Sequence, residues 1–174
     1  MRLQTIVLAA GALALILLPA AAPAQSRDWT PDDRAVLGDF TRIIAVGSGL
    51  DRVVAVTPTA LALYDPQARR WQGPYAPREA GQLRTVFAAL IDPLDGGVWL
   101  FRPDGWLHFD PGIGFWEQGS VTGRVQQVAL DEAAPGGGVF LKTGTGWVTA
   151  MRGGVAVPSG APRRPVRLPT LNDA

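Results

Sequence analysis

The chain of 174 residues contains no cysteine, one histidine (His108) and one lysine (Lys142). Without cysteine it can form no disulfide, no thiolate metal site and no thiol nucleophile. A single histidine excludes a site built from several histidines within this chain, and a Ser-His-Asp triad would have to use His108. The sequence therefore predicts no catalytic residue, no metal ligand and no cofactor-binding residue, and it leaves the ligand-binding residues unknown.

Net charge is also nearly absent. The chain has 16 basic and 15 acidic residues, which gives a formal charge of +1. Arg2 is the only charged residue among the first 24, so without that segment 15 basic residues face 15 acidic ones. A neutral chain lacks the cationic surface with which proteins bind nucleic acids or anionic membranes. We therefore expect no nucleic-acid partner.

The N-terminus has the features of a secretion signal. Arg2 precedes an uncharged apolar run over residues 6–18, and Ala22-Pro23-Ala24 provides the small-x-small pattern of a cleavage site. The run is shorter than the roughly 20 residues that a membrane span needs. This favours a cleaved signal peptide, residues 1–24, over a membrane anchor. It predicts an exported protein, periplasmic or extracellular, without stable membrane insertion after cleavage.

A repeat organises the remaining chain. A shift of 45 residues superimposes two copies without a gap, and a shift of 41 places a weaker third copy on the second. Clear matches are Val53 with Val98, Tyr64 with Phe109, Trp71 with Trp116, and Trp106 with Trp147, whereas the shift of 41 places Trp116 on the unlike residue Val157. Internal repeats of this period are typical of propellers and other arrays of supersecondary units.

Each copy contains four extended segments. The second is a short apolar run, as in residues 53–56, 98–101 and 139–141, which indicates a strand buried on both faces. A turn containing Pro or Gly separates it from a third, alternating segment. Four short strands every 40 to 45 residues are typical of propeller blades, whereas a β-sandwich gives no reason for Trp and Asp-Pro to recur. We predict an all-β fold with about three antiparallel four-stranded blades, over residues 39–78, 79–120 and 121–158.

Two segments flank the repeats. Residues 25–38 form a lead-in in which Thr30 can cap a helix, Pro31 suits its first position, and Asp32 and Asp33 suit its first turn. This predicts a short helix over residues 31–37. Residues 159–174 are rich in Pro and Arg and show no clear strand pattern, so we interpret them as a tail or linker.

The second copy resembles the propeller repeats of periplasmic sensor regions in two-component regulators. Their blade pattern of apolar-Trp-apolar, a turn ending in Gly, aromatic-Asp-Pro and a later aromatic is matched by Val98-Trp99-Leu100, Gly105, Phe109-Asp110-Pro111 and Trp116. The first copy lacks the Trp and the Gly, and the third lacks Asp-Pro and the final aromatic. The resemblance covers about residues 40–158 and implies a fold, but not an activity, because propellers host many functions.

Most candidate functional motifs have a simpler structural interpretation. Asp65-Pro66 and Asp110-Pro111 follow strands and fit turn caps better than paired catalytic carboxylates. The run Asp92 to Gly97 lacks the alternating ligands and terminal Glu of a calcium loop, and Gly136-Gly137-Gly138 precedes a strand instead of the helix that a phosphate loop needs. We interpret His108 as a structural or half-exposed strand residue, and the repeated Trp residues as core between blades more than as a sugar- or peptide-binding surface.

Three blades are fewer than the four to eight that close a propeller ring. Further blades, in the same polypeptide or from a second chain, would be needed, and we favour the N-terminal part of a longer protein over a self-assembling short chain. The sequence thus predicts an exported, non-catalytic binding or interaction module with an unknown ligand or protein partner. The alternative is a fragment of an exported propeller enzyme, of lactonase, lyase or quinoprotein type, whose catalytic residues lie outside this chain.

Overall fold

The computed structural model describes residues 41–79, 81–131 and 138–167, with side chains as far as Pro165. These residues form thirteen β-strands and one short 3-10 turn, η1. The helix that we predict over residues 31–37 lies outside them. Among the described residues, no helix has the length and hydrophobicity of a membrane span.

The strands form three antiparallel sheets that follow each other along the chain, which confirms the predicted all-β fold with three blades. Blade 1 contains β1 to β4, blade 2 contains β5 to β8, and blade 3 contains β9 to β12, with β13 added beside β9. The strands of blade 1 are Ala45–Gly49, Arg52–Val56, Leu61–Asp65 and Arg70–Tyr75. Those of blade 2 are Ala88–Ile91, Val98–Arg102, Gly105–Asp110 and Phe115–Ser120. In blade 3 they are Gln127–Asp131, Gly138–Thr143, Gly146–Ala150 and Ala156–Ser159, with η1 at Arg152–Gly154 and β13 at Val166–Arg167.

Tight hairpins join the second and third strands of each blade, as the turn residues predict. In blade 1 the Thr57 hydroxyl accepts a hydrogen bond from the Ala60 amide at 3.0 Å and donates one to the Ala60 carbonyl at 3.0 Å. In blade 3 the Thr143 hydroxyl likewise donates to the Gly146 carbonyl at 3.1 Å. Short polar side chains that bond to nearby backbone stabilise such turns.

Blade 2 is packed on both faces. We call the face of a blade toward the preceding blade its incoming face, and the opposite one its outgoing face. The incoming face of blade 2 packs on blade 1 through Val98, Leu100, Leu107 and Phe109. Its outgoing face packs on blade 3 through Trp99, Phe101 and Trp106. The period of two along the strands places these side chains on opposite faces, as the alternation predicts.

The incoming face of blade 1 is different, because the described residues include no blade in front of it. Its exposed apolar side chains include Ile43, Val46 and Trp71, and 56% of Trp71 is exposed. Trp116, the repeat counterpart of Trp71, is instead partly buried against the core between blades 1 and 2. The two tryptophans therefore occupy the same repeat position in different surroundings.

Blade 3 departs from the sequence prediction in two places. Ala150 pairs with Ala156, as Phe109 pairs with Trp116 in blade 2, so Ala156 and not Val157 occupies the Trp116 position. The tail, where we predict no strand, supplies β13, which pairs with β9 at Leu130 and Ala129. The backbone amide of Arg163 donates to Asp131 Oδ2 at 2.9 Å and fastens the start of this segment.

Candidate functional site

A groove of about 370 Å³ lies between the connection from β4 to β5 and the last strand of blade 2. The connection contributes charged and amide side chains, and β8 contributes aromatic, carboxylate and amide ones. The main lining residues are Arg78, Glu79, Gln82, Phe115, Trp116, Glu117 and Gln118. The volume lies within the roughly 300–1,000 Å³ of typical small-ligand sites.

The groove combines an exposed ring with hydrogen-bonding groups. Phe115 is 54% exposed, whereas its neighbour Trp116 stacks on Phe109 with ring centroids 4.5 Å apart. The Gln82 side-chain amide donates to Glu79 Oε2 at 2.9 Å and to Gln118 Oε1 at 3.3 Å, and so links the connection to β8. This arrangement can accommodate a ligand that has both an apolar face and hydrogen-bonding groups.

Glu117 connects the groove to the junction between blades 2 and 3. Its Oε2 atom accepts a hydrogen bond from the Gly153 amide in η1 at 3.1 Å and lies 3.7 Å from His108 Nδ1. The Glu117 carboxylate therefore holds the turn between β11 and β12, while the strand that carries it also lines the groove.

A second set of polar contacts supports the same junction. Asp92 accepts the indole N–H of Trp99 at 3.0 Å and the Leu94 amide at 2.9 Å, one on each carboxylate oxygen. Arg152, on η1, forms an ion pair with Asp95 and lies 3.9 Å from Asp92 Oδ2. Because Arg152 is about half exposed, this pair stabilises the junction only modestly. The indole bond is buried and fixes the Trp99 side chain between the blades.

His108 is a strand residue, as we predict, and the structure shows that it is buried, with only 2% of it exposed. Its ring lies 4.7 Å from that of Trp99, and its Nε2 atom faces Gly97 without a hydrogen-bond partner among the described residues. Burial lowers the pKa of His108, and the nearby Glu117, Asp92 and Asp110 carboxylates oppose this effect only in part. The imidazole is therefore a neutral part of the packing at neutral pH.

We expect the stability of the protein to fall as pH decreases below about 6.5, because the unfolded chain then binds a proton at His108 that the folded chain rejects. The free energy of unfolding should decrease by at most about 1.4 kcal/mol per pH unit, until the pH reaches the folded-state pKa of His108. Urea denaturation between pH 5.5 and pH 8 measures this slope, and H108Q should reduce it. An identical slope in the variant would show that other groups cause the pH dependence.

The structure places the other predicted motifs in turns. Asp65 Oδ1 accepts the Gln67 and Ala68 amides at 3.0 Å each, and the bond from Ala68 is the main cause of the lowered pKa of Asp65. Asp110 Oδ1 accepts the Gly112 amide at 2.8 Å. Both are turn caps. The run Asp92 to Gly97 is the connection between β5 and β6, and Asp95 Oδ1 accepts the Gly97 amide at 2.8 Å.

In the part of the chain that the structure describes, no three His, Asp or Glu side chains form a metal-binding group.

The described tryptophans differ in burial. Trp106 is buried between blades 2 and 3, as the core interpretation predicts. Trp99 is buried there as well, and Trp116 and Trp147 are partly buried. Trp71 does not fit that interpretation, because it lies exposed on the incoming face of blade 1.

The sequence does not predict the groove residues Arg78, Glu79, Gln82 and Gln118. They carry no repeat signal, and only the packing of blade 1 against blade 2 brings them together.

The sequence matches no protein-family model and no curated protein. The fold is similar to two solved structures from B. thetaiotaomicron. One is the extracellular domain of the hybrid two-component system BT4673, with a TM-score of 0.47 and 14% identity over 68% of this chain. The other is the extracellular domain of the one-component system BT4673, with a TM-score of 0.46 and 14% identity over 70% of this chain. This chain spans 17% of each of those chains, and a likeness of this size assigns neither a family nor a ligand.

Proposed function

We propose that this chain is an exported, non-catalytic binding module of the β-propeller type, and that it binds its ligand in the groove between blades 1 and 2. The groove itself is the observation that carries the proposal. It combines an exposed phenyl ring at Phe115 with the amides of Gln82 and Gln118 and the charges of Arg78 and Glu79. Pockets with apolar walls and a few convergent polar groups are the usual form of small-ligand sites.

The position of the groove agrees with this proposal. Its residues come from a connecting segment and a last strand, and binding residues are often found on connections that a rigid scaffold positions. The scaffold here is the packed core between blades 1 and 2, which includes Leu63, Leu100 and Phe109. The buried position of His108 gives no reason to add a catalytic step.

Two features of the proposal come from the sequence. The apolar run and cleavage pattern in residues 1–24 support export to the periplasm or beyond. The count of three blades, fewer than the four to eight of a closed ring, supports completion by further blades. We favour further blades in the same polypeptide, of which this chain is then the N-terminal part, over a second chain.

Ligand binding is tested with the mature protein, residues 25–174, against a panel of oligosaccharides and short peptides in a thermal-shift assay followed by calorimetry. For a ligand found in this way, F115A should weaken binding at least about tenfold, because stacking on the ring and the buried apolar area are lost. Q118A should weaken it by a smaller factor.

The matched control is I113A, since Ile113 is an exposed apolar residue in the turn before β8 and does not line the groove. It should bind as the unmodified protein does. Equal affinities for F115A and the unmodified protein would place the ligand elsewhere. Steady turnover of any substrate would overturn the non-catalytic assignment.

A further inference from the structure

The incoming face of blade 1 contains a second groove, of about 410 Å³, far more apolar than the first. Ala55 and Ala62 form its floor, and Ile43, Trp71 and Pro74 line its sides. The Trp71 ring is supported by Tyr64, with ring centroids 5.1 Å apart. A groove of this kind on an exposed sheet face is unusual, because soluble proteins rarely leave large apolar side chains together in water.

Comparison with blade 2 shows what creates the groove. The 45-residue shift places Ala55 on Leu100 and Ala62 on Leu107. Both leucines are fully buried and fill the incoming face of blade 2, where it meets blade 1. Blade 1 therefore has alanine at two positions where its repeat has leucine. Its incoming face has room for large side chains from elsewhere, instead of supplying them itself.

We propose that residues 31–40, which directly precede the described part of blade 1, pack in this groove. The segment Pro31-Asp-Asp-Arg-Ala-Val-Leu-Gly-Asp-Phe40 contains three large apolar residues: Val36 and Leu37 form the end of the helix predicted over residues 31–37, and Phe40 follows it. A short helix with an apolar side is stable only when that side is covered. The segment ends three residues before Ile43, and Ile43 lines the groove.

Charge also favours this pairing. Residues 31–40 contain three aspartates, Asp32, Asp33 and Asp39, against one arginine, Arg34. Blade 1, taken as residues 41–75, contains four arginines, Arg42, Arg52, Arg69 and Arg70, against two aspartates, Asp51 and Asp65. The segment is therefore acidic and the blade basic. Opposite net charges steer the two toward each other and disfavour two copies of blade 1 meeting face to face.

The covalent connection between residues 31–40 and blade 1 favours this segment over a second copy of the chain as the occupant of the groove. A flexible tether of a few residues keeps a segment near its site at an effective concentration on the order of millimolar. A second copy reaches the groove only at its actual concentration, which is on the order of micromolar in a dilute sample, so the segment should outcompete it. This inference does not rest on the proposed function, because the ligand groove lies at the other face of blade 1.

The absence of native cysteine makes a disulfide-trapping experiment specific. In the mature protein, the pair L37C and A62C should form a disulfide within one chain under mild oxidation. It should form about tenfold faster or more than the pair L37C and I113C, whose second site is an exposed turn of blade 2. Non-reducing electrophoresis and peptide mass spectrometry measure the rates and identify the bond, and circular dichroism confirms that both variants fold.

Equal rates for the two pairs would overturn the proposal, as would a bond between two chains together with a dimer by light scattering. A second variant, V36D with L37D, gives an independent result. It should increase amide hydrogen exchange in β2 and β3, which carry the groove floor, and leave β6 and β7 unchanged. No change in β2 and β3 would also overturn the proposal. Ligand binding in the groove beside Phe115 should be retained in this variant, which separates this test from that of the function.

Discussion

Replacing Trp106 with alanine should lower the free energy of unfolding by about 3–5 kcal/mol, the usual loss for a buried tryptophan. The side chain is completely buried between blades 2 and 3, and its ring lies directly against Gly119 on the neighbouring strand. Phe101, Leu141 and other apolar side chains of both blades belong to the same cluster. Removal would leave a cavity that two rigid sheets cannot close. Urea denaturation monitored by circular dichroism measures the loss, which corresponds to a decrease in Tm of roughly 10 °C for a domain of this size.

Two variants define this result further. W106F should recover more than half of the loss, because the indole N–H of Trp106 has no hydrogen-bond partner among the described residues and phenylalanine restores most of the volume. I113A removes an apolar side chain that is 76% exposed and should change stability by less than about 0.5 kcal/mol. A loss below about 1 kcal/mol for W106A would show that blades 2 and 3 do not share the core described above.

Replacing Gly47 with alanine should separate blades 1 and 2 where their first strands approach each other. A Cβ atom at Gly47 would overlap the carbonyl oxygen of Ala89 and lie 3.0 Å from the Leu90 backbone nitrogen. These are backbone atoms of β5, so no side chain can rotate away, and one strand must move. Overpacking of this kind costs typically about 1–3 kcal/mol and sometimes more, and we expect the upper part of that range. Denaturant unfolding measures the loss, and hydrogen exchange in β1 and β5 locates it.

Gly144 provides the matched control for this substitution. A Cβ atom there would meet no other atom within 4 Å, and the residue lies in the turn between β10 and β11. G144A should therefore change stability by less than about 0.5 kcal/mol. If G47A and G144A have the same effect, the two first strands are not in the close contact that the structure describes.

The repeat accounts for most of what could be predicted. The apolar runs and the alternating segments located the second and third strands of all three blades, because a period of two and a turn signal are properties of short stretches of chain. The same alternation implies that Trp106 and Leu107 lie on opposite faces of blade 2, and the structure places them so. Asp65 and Asp110 were recognisable as turn caps because their partners lie two or three residues ahead.

Features that depend on contacts between blades were not predictable in this way. The bond from Trp99 to Asp92 joins a residue of β6 to the connection that precedes this strand, and nothing in the spacing distinguishes Asp92 from other loop aspartates. Glu117 meets Gly153 across 36 positions of the chain. The repeat position of Trp71 predicts a core residue, but the structure exposes it, for a related reason. The repeat predicts the type of residue at a position. Whether that residue is buried depends on a neighbouring blade, and the described residues include none in front of blade 1.

The pairing of β13 with β9 has a consequence for how the molecule meets other chains. A strand at the margin of a sheet presents unpaired amides and carbonyls, and these can recruit a foreign strand and initiate aggregation. In blade 3 that margin is occupied at Leu130 and Ala129 by the chain's own backbone, and Arg163 ties the covering segment to Asp131. The segment that contains β13 has no hydrophobic pattern. It nevertheless covers this edge of blade 3 through main-chain pairing, which should reduce pairing with strands of other chains.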